Sequence, residues 1–211
     1  MQVFGSYVSP FTARVMIQIR AKGLDIPLCA PPVDIHSPEY RAVNPLGKVP
    51  ALDTGQTVMP ESEVIAEYLE ARFPEPPLLG SSPEEAAQIR LVARIADIYV
   101  MNAMLPLFAN LSPKRRNQPV VDHALAAVDT GLAHLEHFVR PATYAVLERL
   151  TLAECATGPF LLYVTRFLPM FGVADPLRKV RAVAGHWEAL QADRHVGAVL
   201  DDMRAALAAY S

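Results

Sequence analysis

The sequence predicts a two-part protein: an α/β N-terminal domain of thioredoxin-like pattern, ordered βαβ-αββα, followed by an all-α C-terminal domain. Three observations predict it. Short apolar runs alternate with helix-start signals through the first 74 residues. A proline-rich stretch, Phe73–Ser81, then ends in Gly-Ser. Beyond it, apolar residues recur at helical spacing alone. The expected boundaries are 1–74 for the α/β domain, 75–82 for the linker and 83–211 for the helical domain.

Each element has a local cause. Gln2–Gly5 is a short apolar run that reads as a strand. Ser9-Pro10 pairs an N-cap with a proline at the first helical position, and Phe11, Val15 and Ile19 follow at four-residue steps up to a stop at Gly23. Ile26–Val33 reads as a second strand, made irregular by Pro27, Pro31 and Pro32. Ser37-Pro38-Glu39 starts a short helix that ends before Asn44-Pro45. Val49–Leu52 and Thr57–Met59 flank the turn residues Asp53-Thr54-Gly55 as two further strands. Ser62 is expected to cap a third helix carrying Ile65, Tyr68, Leu69 and Arg72.

In the second half, Ser82-Pro83-Glu84-Glu85 opens a helix running through Ile89, Val92, Ile95 and Tyr99 toward Phe108, with a bend expected at Pro106. Leu125, Val128, Leu132, Leu135 and Phe138 mark the next helix. Thr151-Leu152-Ala153-Glu154 is a second capping box, with Leu150 and Cys155 placed as a hydrophobic staple. Leu177, Val180, Ala184 and Trp187 mark another helix, and Val196, Val199, Met203 and Leu207 the last.

Composition narrows the function classes. Hydrophobic residues make up 52% of the chain and charged residues 19%, which suits a globular protein with a sizeable core. A net charge of −3 leaves no basic footprint for nucleic acid or an anionic membrane. The N-terminus shows no basic segment before a long apolar one, and no uninterrupted apolar stretch of about 18 residues is apparent, so neither a secretory leader nor a membrane span is expected. Cys29 and Cys155 form no CxxC pair, so no metal site and no redox pair are expected. Two reduced thiols in a cytosolic protein is the expectation.

The segment Asn44–Leu69 organises the chemistry. Pro50 cannot donate to a sheet, and a proline at the mouth of a strand is a place where a cis bond occurs. A cis Val49–Pro50 bend would turn the Val49 N–H and C=O outward to meet another short backbone. The helix start at Ser62 offers bare N–H groups that suit a carboxylate. A backbone edge beside an anion cradle fits a small peptide with a free α-carboxylate. Each part alone has a plainer reading: X–Pro as a turn, serine as a cap.

Asn-Pro-x-Gly-Lys-Val-Pro-x-Leu, followed by Glu-Ser-x-x-Ile-x-x-Tyr-Leu, resembles the glutathione-binding half of the cytosolic glutathione S-transferases. The resemblance covers nearly the whole chain, with its specific motifs in the first 70 residues and around Thr151. It implies glutathione as co-substrate, a homodimer and a detoxifying transferase. It also implies that a hydroxyl beside the first helix stabilises the glutathione thiolate, and Tyr7, Ser9 and Thr12 are the candidates. Serine-type members, such as the tau and zeta classes, place their serine five residues before an Arg-Val pair, as Ser9 stands before Arg14-Val15. Tyr7 lies seven before Arg14, one step out of the tyrosine-type spacing. Ser9 is therefore the expected catalytic residue, with a plain N-cap as its other reading. Cysteine, which the omega class and the thiol reductases carry at this position, is absent, and this argues against mixed-disulfide chemistry.

By the same resemblance, the Val49 backbone meets the cysteinyl part of glutathione, and Glu61 and Ser62 hold the γ-glutamyl amine and carboxylate. His36 or Lys48 faces the glycyl carboxylate, and for His36 a solvated loop side chain is the competing reading. Arg14 is expected to be structural, bridging helix and strand, and not a ligand. Asp97, with Arg90 and Arg94, reads as a solvated polar face. The electrophile is expected between the domains, against Phe11, Met101, Met104 and Phe108, although Met and aromatic residues at helical spacing are more often core. The expected reaction is conjugation of the thiolate to an apolar electrophile. The alternatives are a glutathione-dependent isomerase, aryl-ether cleavage, or a non-catalytic binding module. Zeta-class isomerases typically carry Ser-Ser-Cys where this chain has Ser9-Pro10-Phe11.

Overall fold

The computed structural model describes residues 1–140 and 144–209, which divide into two units: residues 1–78 with 194–209, and residues 79–193. In the first unit, strands β1 (Gln2–Phe4), β2 (Leu28–Cys29), β3 (Ala51–Asp53) and β4 (Val58–Pro60) form one sheet in the order β2-β1-β3-β4. β1 and β2 are parallel, while β1–β3 and β3–β4 are antiparallel. Helices α1 (Pro10–Ala21), α2 (Pro38–Val43) and α3 (Ser62–Arg72) complete the expected βαβ-αββα order. β2 is shorter than the run Ile26–Val33 suggested, because Pro27, Pro31 and Pro32 have no N–H to donate to a ladder.

Sheet and helices share an apolar core in which Val3, Leu52, Ile65 and Leu69 have no exposed surface. The contact between α1 and α3 also has a polar seam. Arg14, Gln18 and Lys22 stand at four-residue steps, so they share one face of α1. Arg14 pairs with Glu63 at 2.9 Å, and Gln18 donates to the Ala66 carbonyl at 2.9 Å. The Lys22 ammonium meets Glu70 at 2.8 Å and donates to the Phe73 and Pro76 carbonyls at 2.7 and 2.8 Å. Charges this deep are tolerated because they are paired and hydrogen-bonded. Arg14 is thus structural as expected, but it joins helix to helix and not helix to strand, because its partner Glu63 lies in the first turn of α3.

Helix α9 (Arg194–Ala208) packs on α1, and Arg20 of α1 pairs with Asp202 of α9 at 2.6 Å. The last helix therefore belongs to the first unit, whereas the sequence assigned it to the helical domain. Its apolar period shows that one face is buried and leaves open against what. Tyr210 and Ser211 lie outside the described residues.

The second unit is helical. α4 (Pro83–Ile95) continues through a π-helical stretch, Ala96–Met101, into α5 (Asn102–Phe108). α6 (Gln118–Glu136) and α7 (Leu152–Phe167) pack on this run, and α8 (Arg181–Ala192) packs on α6 and α7. Pro106 lies inside α5, and the departure from α geometry comes earlier, at Ala96–Met101, where α6 crosses at Gly131. A Cβ on Gly131 would lie 2.0 Å from the Tyr99 carbonyl oxygen, so only glycine permits this approach. Leu177 and Val180 precede α8 and do not form its first turn.

The run Pro83–Phe108 is long and apolar enough to cross a membrane by length and composition alone, although, as the sequence suggested, it is not an uninterrupted apolar stretch. It is broken by the ion pair Arg94–Asp97 at 2.9 Å, and it buries Ile89, Val92, Val100, Met101, Met104 and Leu107 in the unit's interior. It is built as a core helix. The capping box at Thr151 forms as expected, and its Glu154 is fully buried.

Candidate functional site

The sheet register explains how residues far apart in sequence reach one place. Ala51, the first residue of β3, pairs with Phe4 at the end of β1 and with Pro60 at the end of β4, and Phe4 in turn pairs with Cys29 at the end of β2. The loops that follow β1, β2 and β4 and precede β3 therefore all leave from the same end of the sheet. Those loops carry Ser9, His36, Lys48, Val49, Glu61 and Ser62.

Ser9 is half-buried and caps α1, with Oγ accepting from the Thr12 N–H at 3.2 Å. Accepting that bond leaves the hydroxyl proton free to be donated. The two rival hydroxyls sit differently: Thr12 Oγ1 is shut in the core with no hydrogen-bond partner among the described residues, and Tyr7 lies against Arg20 and Asp202. Thr12 is fully buried, and its side chain lies against Gly5, where a Cβ would come within 2.6 Å of Thr12 Oγ1. Tyr7 Oη accepts from Arg20 at 3.1 Å, and burial raises the Tyr7 pKa so that the phenol stays protonated.

The Val49–Pro50 bond is cis, as the bend requires; Glu75–Pro76 is also cis, which the sequence did not suggest. Val49 stands just outside β3, and neither its N–H nor its C=O has a partner among the described loop and turn hydrogen bonds. The approach to Val49 is fixed from α2. The Lys48 carbonyl accepts from Tyr40 Oη at 3.1 Å and from Asn44 Nδ2 at 2.8 Å, while Asn44 Oδ1 accepts from the Leu46 N–H at 3.0 Å. Tyr40 and Asn44 are fully buried. They are positioning residues that the sequence reading passed over, and the signal for Asn44 was its place immediately before Pro45. Gly47, at φ 59°, makes the turn between Asn44 and Lys48, its N–H donating to the Asn44 carbonyl at 2.9 Å.

Glu61 occupies the cap position of α3, with φ 69° and ψ 113°. It is the only non-glycine with positive φ among the described residues. Such a conformation costs on the order of 1–3 kcal/mol and collects at binding sites. Ser62, expected as the cap, is instead the first helical residue, since the first intrahelical bond runs from the Ile65 N–H to the Glu61 carbonyl at 2.9 Å. Glu61 makes no capping bond with its side chain, and the Ser62 N–H and hydroxyl have no partner among the described residues. The strained cap thus turns the exposed Glu61 carboxylate outward beside the buried Ser62. Arg14, bound to Glu63 in the same helical turn, ties the start of α3 to the helix that Ser9 caps.

His36 and Lys48 both have exposed side chains. The His36 backbone N–H donates to Asp34 Oδ1 at 2.9 Å, which shapes the loop after β2. Met101 and Met104 are 1% and 0% exposed, so they are core and cannot face a ligand. Phe108 is half-buried in an edge-to-face cluster with Tyr163 and Phe167, at centroid distances of 5.6 and 5.4 Å. Among the described residues no group of metal-ligating side chains is present.

Comparison with known proteins identifies both domains. Residues 3–77 match the family model of the glutathione S-transferase N-terminal domain, and residues 95–193 match that of the C-terminal domain. A maleylacetoacetate isomerase of Pseudomonas aeruginosa is 32% identical over 87% of this chain and 89% of its own. Glutathione S-transferase Z2 of Arabidopsis thaliana is 30% identical over 75% of this chain and 74% of its own. The crystal structure of glutathione transferase F7 from Populus trichocarpa has the same fold, with a TM-score of 0.79 at 21% identity over 96% of this chain and 98% of that one. A serine-capped helix, an open backbone edge and a strained acidic cap at one end of the sheet, together with matches to both domains, have one consistent reading: the chain belongs to the glutathione S-transferase family of enzymes, with zeta-class members among its relatives.

Proposed function

We propose that this chain binds glutathione at the end of its sheet and activates the thiol through Ser9. The observation that carries the proposal is the state of the Ser9 hydroxyl, which is half-buried, accepts from the Thr12 N–H and keeps its proton for a thiolate, while the Thr12 hydroxyl is sealed in the core and Tyr7 lies against Arg20 and Asp202. In this reading Val49 pairs with the cysteinyl backbone. Glu61 binds the γ-glutamyl ammonium as a charge-assisted partner, and Ser62 binds its carboxylate through hydroxyl and helix-start N–H. Lys48 or His36 meets the glycyl carboxylate. The thiolate attacks an electrophilic carbon of an apolar compound, the new C–S bond forms, and the leaving group departs with the old bonding pair. Proximity and thiol activation lower the barrier.

A second reading, glutathione-dependent cis–trans isomerisation, is favoured by the relatives named above. Pro10-Phe11 in place of the Ser-Cys of typical zeta isomerases weighs against it. Product balance separates the two. With 1-chloro-2,4-dinitrobenzene, conjugation consumes one glutathione per product formed. With a maleyl-type cis-enedioic acid, isomerisation turns over while total glutathione stays constant. Binding to immobilised glutathione without either turnover would leave the non-catalytic module as the correct reading.

We also propose a cytosolic, homodimeric enzyme acting in detoxification. The dimer is supported by Leu91, Ile98 and Leu105, which are 42%, 38% and 49% exposed along the Pro83–Phe108 run. A light-scattering mass equal to one chain would refute it.

A further inference from the structure

We infer that the first unit carries a second small-molecule site, separate from the glutathione groups, that takes an apolar ligand bearing a cationic amine. A cleft of about 710 Å³ opens beside β2, between the α1–β2 connection and α9. That size is within the range of small-molecule sites. Its apolar wall is formed by Met16, Ile19, Leu24, Ile26, Leu28 and Ala206. None of Ser9, Val49, Glu61 and Ser62 lines it.

The polar groups decide the class of ligand. Arg20 lines the cleft, but Asp202 already neutralises it at 2.6 Å and Tyr7 Oη accepts from it at 3.1 Å. Asp25 also lines the cleft, is exposed, and has no ion-pair or hydrogen-bond partner among the described residues. The carbonyls of Pro27 and Cys29 on this edge are taken by the Val3 and Gly5 N–H groups. Of the two charged side chains that line the cleft, Asp25 is the one whose charge no described residue balances, and it stands beside an apolar wall. Its complement is a flat or branched apolar body with one ammonium or amidinium group.

Cys29 supplies a built-in reporter. It is half-buried in the cleft wall, while Cys155 is 1% exposed in the other unit, so a thiol reagent should reach Cys29 first. A ligand in the cleft shields that thiol.

The test uses the whole protein with the glutathione site saturated by S-hexylglutathione. The probe is 9-aminoacridine, a planar aromatic cation, with 1-anilinonaphthalene-8-sulfonate as the anionic comparison. Modification by a disulfide reagent is followed by absorbance and assigned to Cys29 by peptide mass. Expected are saturable slowing of Cys29 modification by 9-aminoacridine and little effect of the anionic dye. Asp25→Asn should weaken the protection by about three- to fivefold, the range of an exposed ion pair. Ala206→Trp, at a half-buried position that can fill the cleft, should abolish it. Protection by the anionic dye at equal concentration, an Asp25→Asn affinity equal to wild type, or unchanged binding in Ala206→Trp would each overturn the inference. So would loss of aminoacridine binding on adding S-hexylglutathione, since that would put the dye in the transferase site. The outcome does not depend on Ser9 or on turnover.

Discussion

Replacing Ser9 with alanine tests the thiol-activation chemistry directly. The hydroxyl already accepts from the Thr12 N–H, so its remaining contribution is one donated hydrogen bond to a charged sulfur. Such a bond is worth about 1.5–3 kcal/mol. At about 1.36 kcal/mol per pKa unit, the bound thiol should rise by roughly one to two units in Ser9→Ala. The start of α1 contributes a further 0.3–1 kcal/mol or so, which survives the substitution. From a free-thiol value near 8.5, wild type is then expected at about 6–7 and the variant at about 8. Loss of the cap also costs about 0.5–2 kcal/mol of stability, whereas glycine at a cap costs only a few tenths. Ser9→Gly therefore separates catalysis from folding, and should show the same thiol shift with a nearly native melting temperature. The assay is thiolate absorbance of the enzyme–glutathione complex against pH. Tyr7→Phe and Thr12→Val are the controls and should leave the titration in place, since Tyr7 is bound to Arg20 and Thr12 faces Gly5. A shift in either control but not in Ser9→Gly would refute the argument and move the role to that residue. A wild-type complex with no thiolate at neutral pH would remove the enzymatic reading altogether.

Two further outcomes follow from the same coordinates. Ser62→Ala should raise KM for glutathione while kcat falls less, because it removes binding shared by the ground and transition states; an unchanged KM with collapsed kcat would reassign Ser62. Glu154 is fully buried, and it accepts from the Thr151 N–H and the Ala145 N–H at 2.7 Å each and from Thr151 Oγ1 at 2.6 Å. Burial outweighs these bonds and raises its pKa, so the folded state holds the proton more tightly than the unfolded chain. Its contribution to stability is therefore full below the unfolded pKa of about 4.3 and is lost as pH rises through the raised folded value. Glu154→Gln turns an NH2 toward a backbone N–H and should cost about 1–3 kcal/mol at neutral pH. The gap between wild type and Glu154→Gln, read by urea denaturation, should widen on acidification. A gap that narrows would mean that the three accepted bonds outweigh burial.

Local chemistry was legible in the sequence. Ser9-Pro10, Ser37-Pro38, Ser82-Pro83 and the Thr151–Glu154 box each began a helix where expected, because a cap is satisfied within about one turn of its own chain. The bend at Pro50 and a helix start near Ser62 were legible in the Asn44–Leu69 motif for a similar reason, since both are short-range features. The positive φ of Glu61 was not legible, as a glutamate carries no preference for it, and only the surrounding fold holds it there. That strain made Glu61 the cap and Ser62 the first helical residue.

The remaining decisions were tertiary. An apolar period says that a helix has a buried face, and nothing in it names the partner. α9 could have closed the helical unit but packs on α1, where Asp202 meets Arg20 and the cleft beside β2 is formed. Met101 and Met104 looked like a substrate wall, but α6, coming close at Gly131, closes over them. The surroundings of the three neighbouring hydroxyls also rested on contacts across the fold, with Arg20 engaging Tyr7 and Gly5 admitting Thr12 to the core. Capped helix starts such as Ser9-Pro10, Ser82-Pro83 and Thr151–Glu154 could be read from the chain alone, because a cap depends on neighbours along the chain. The structure decided which side chains remain available to a ligand, because that depends on what the rest of the chain has already bound.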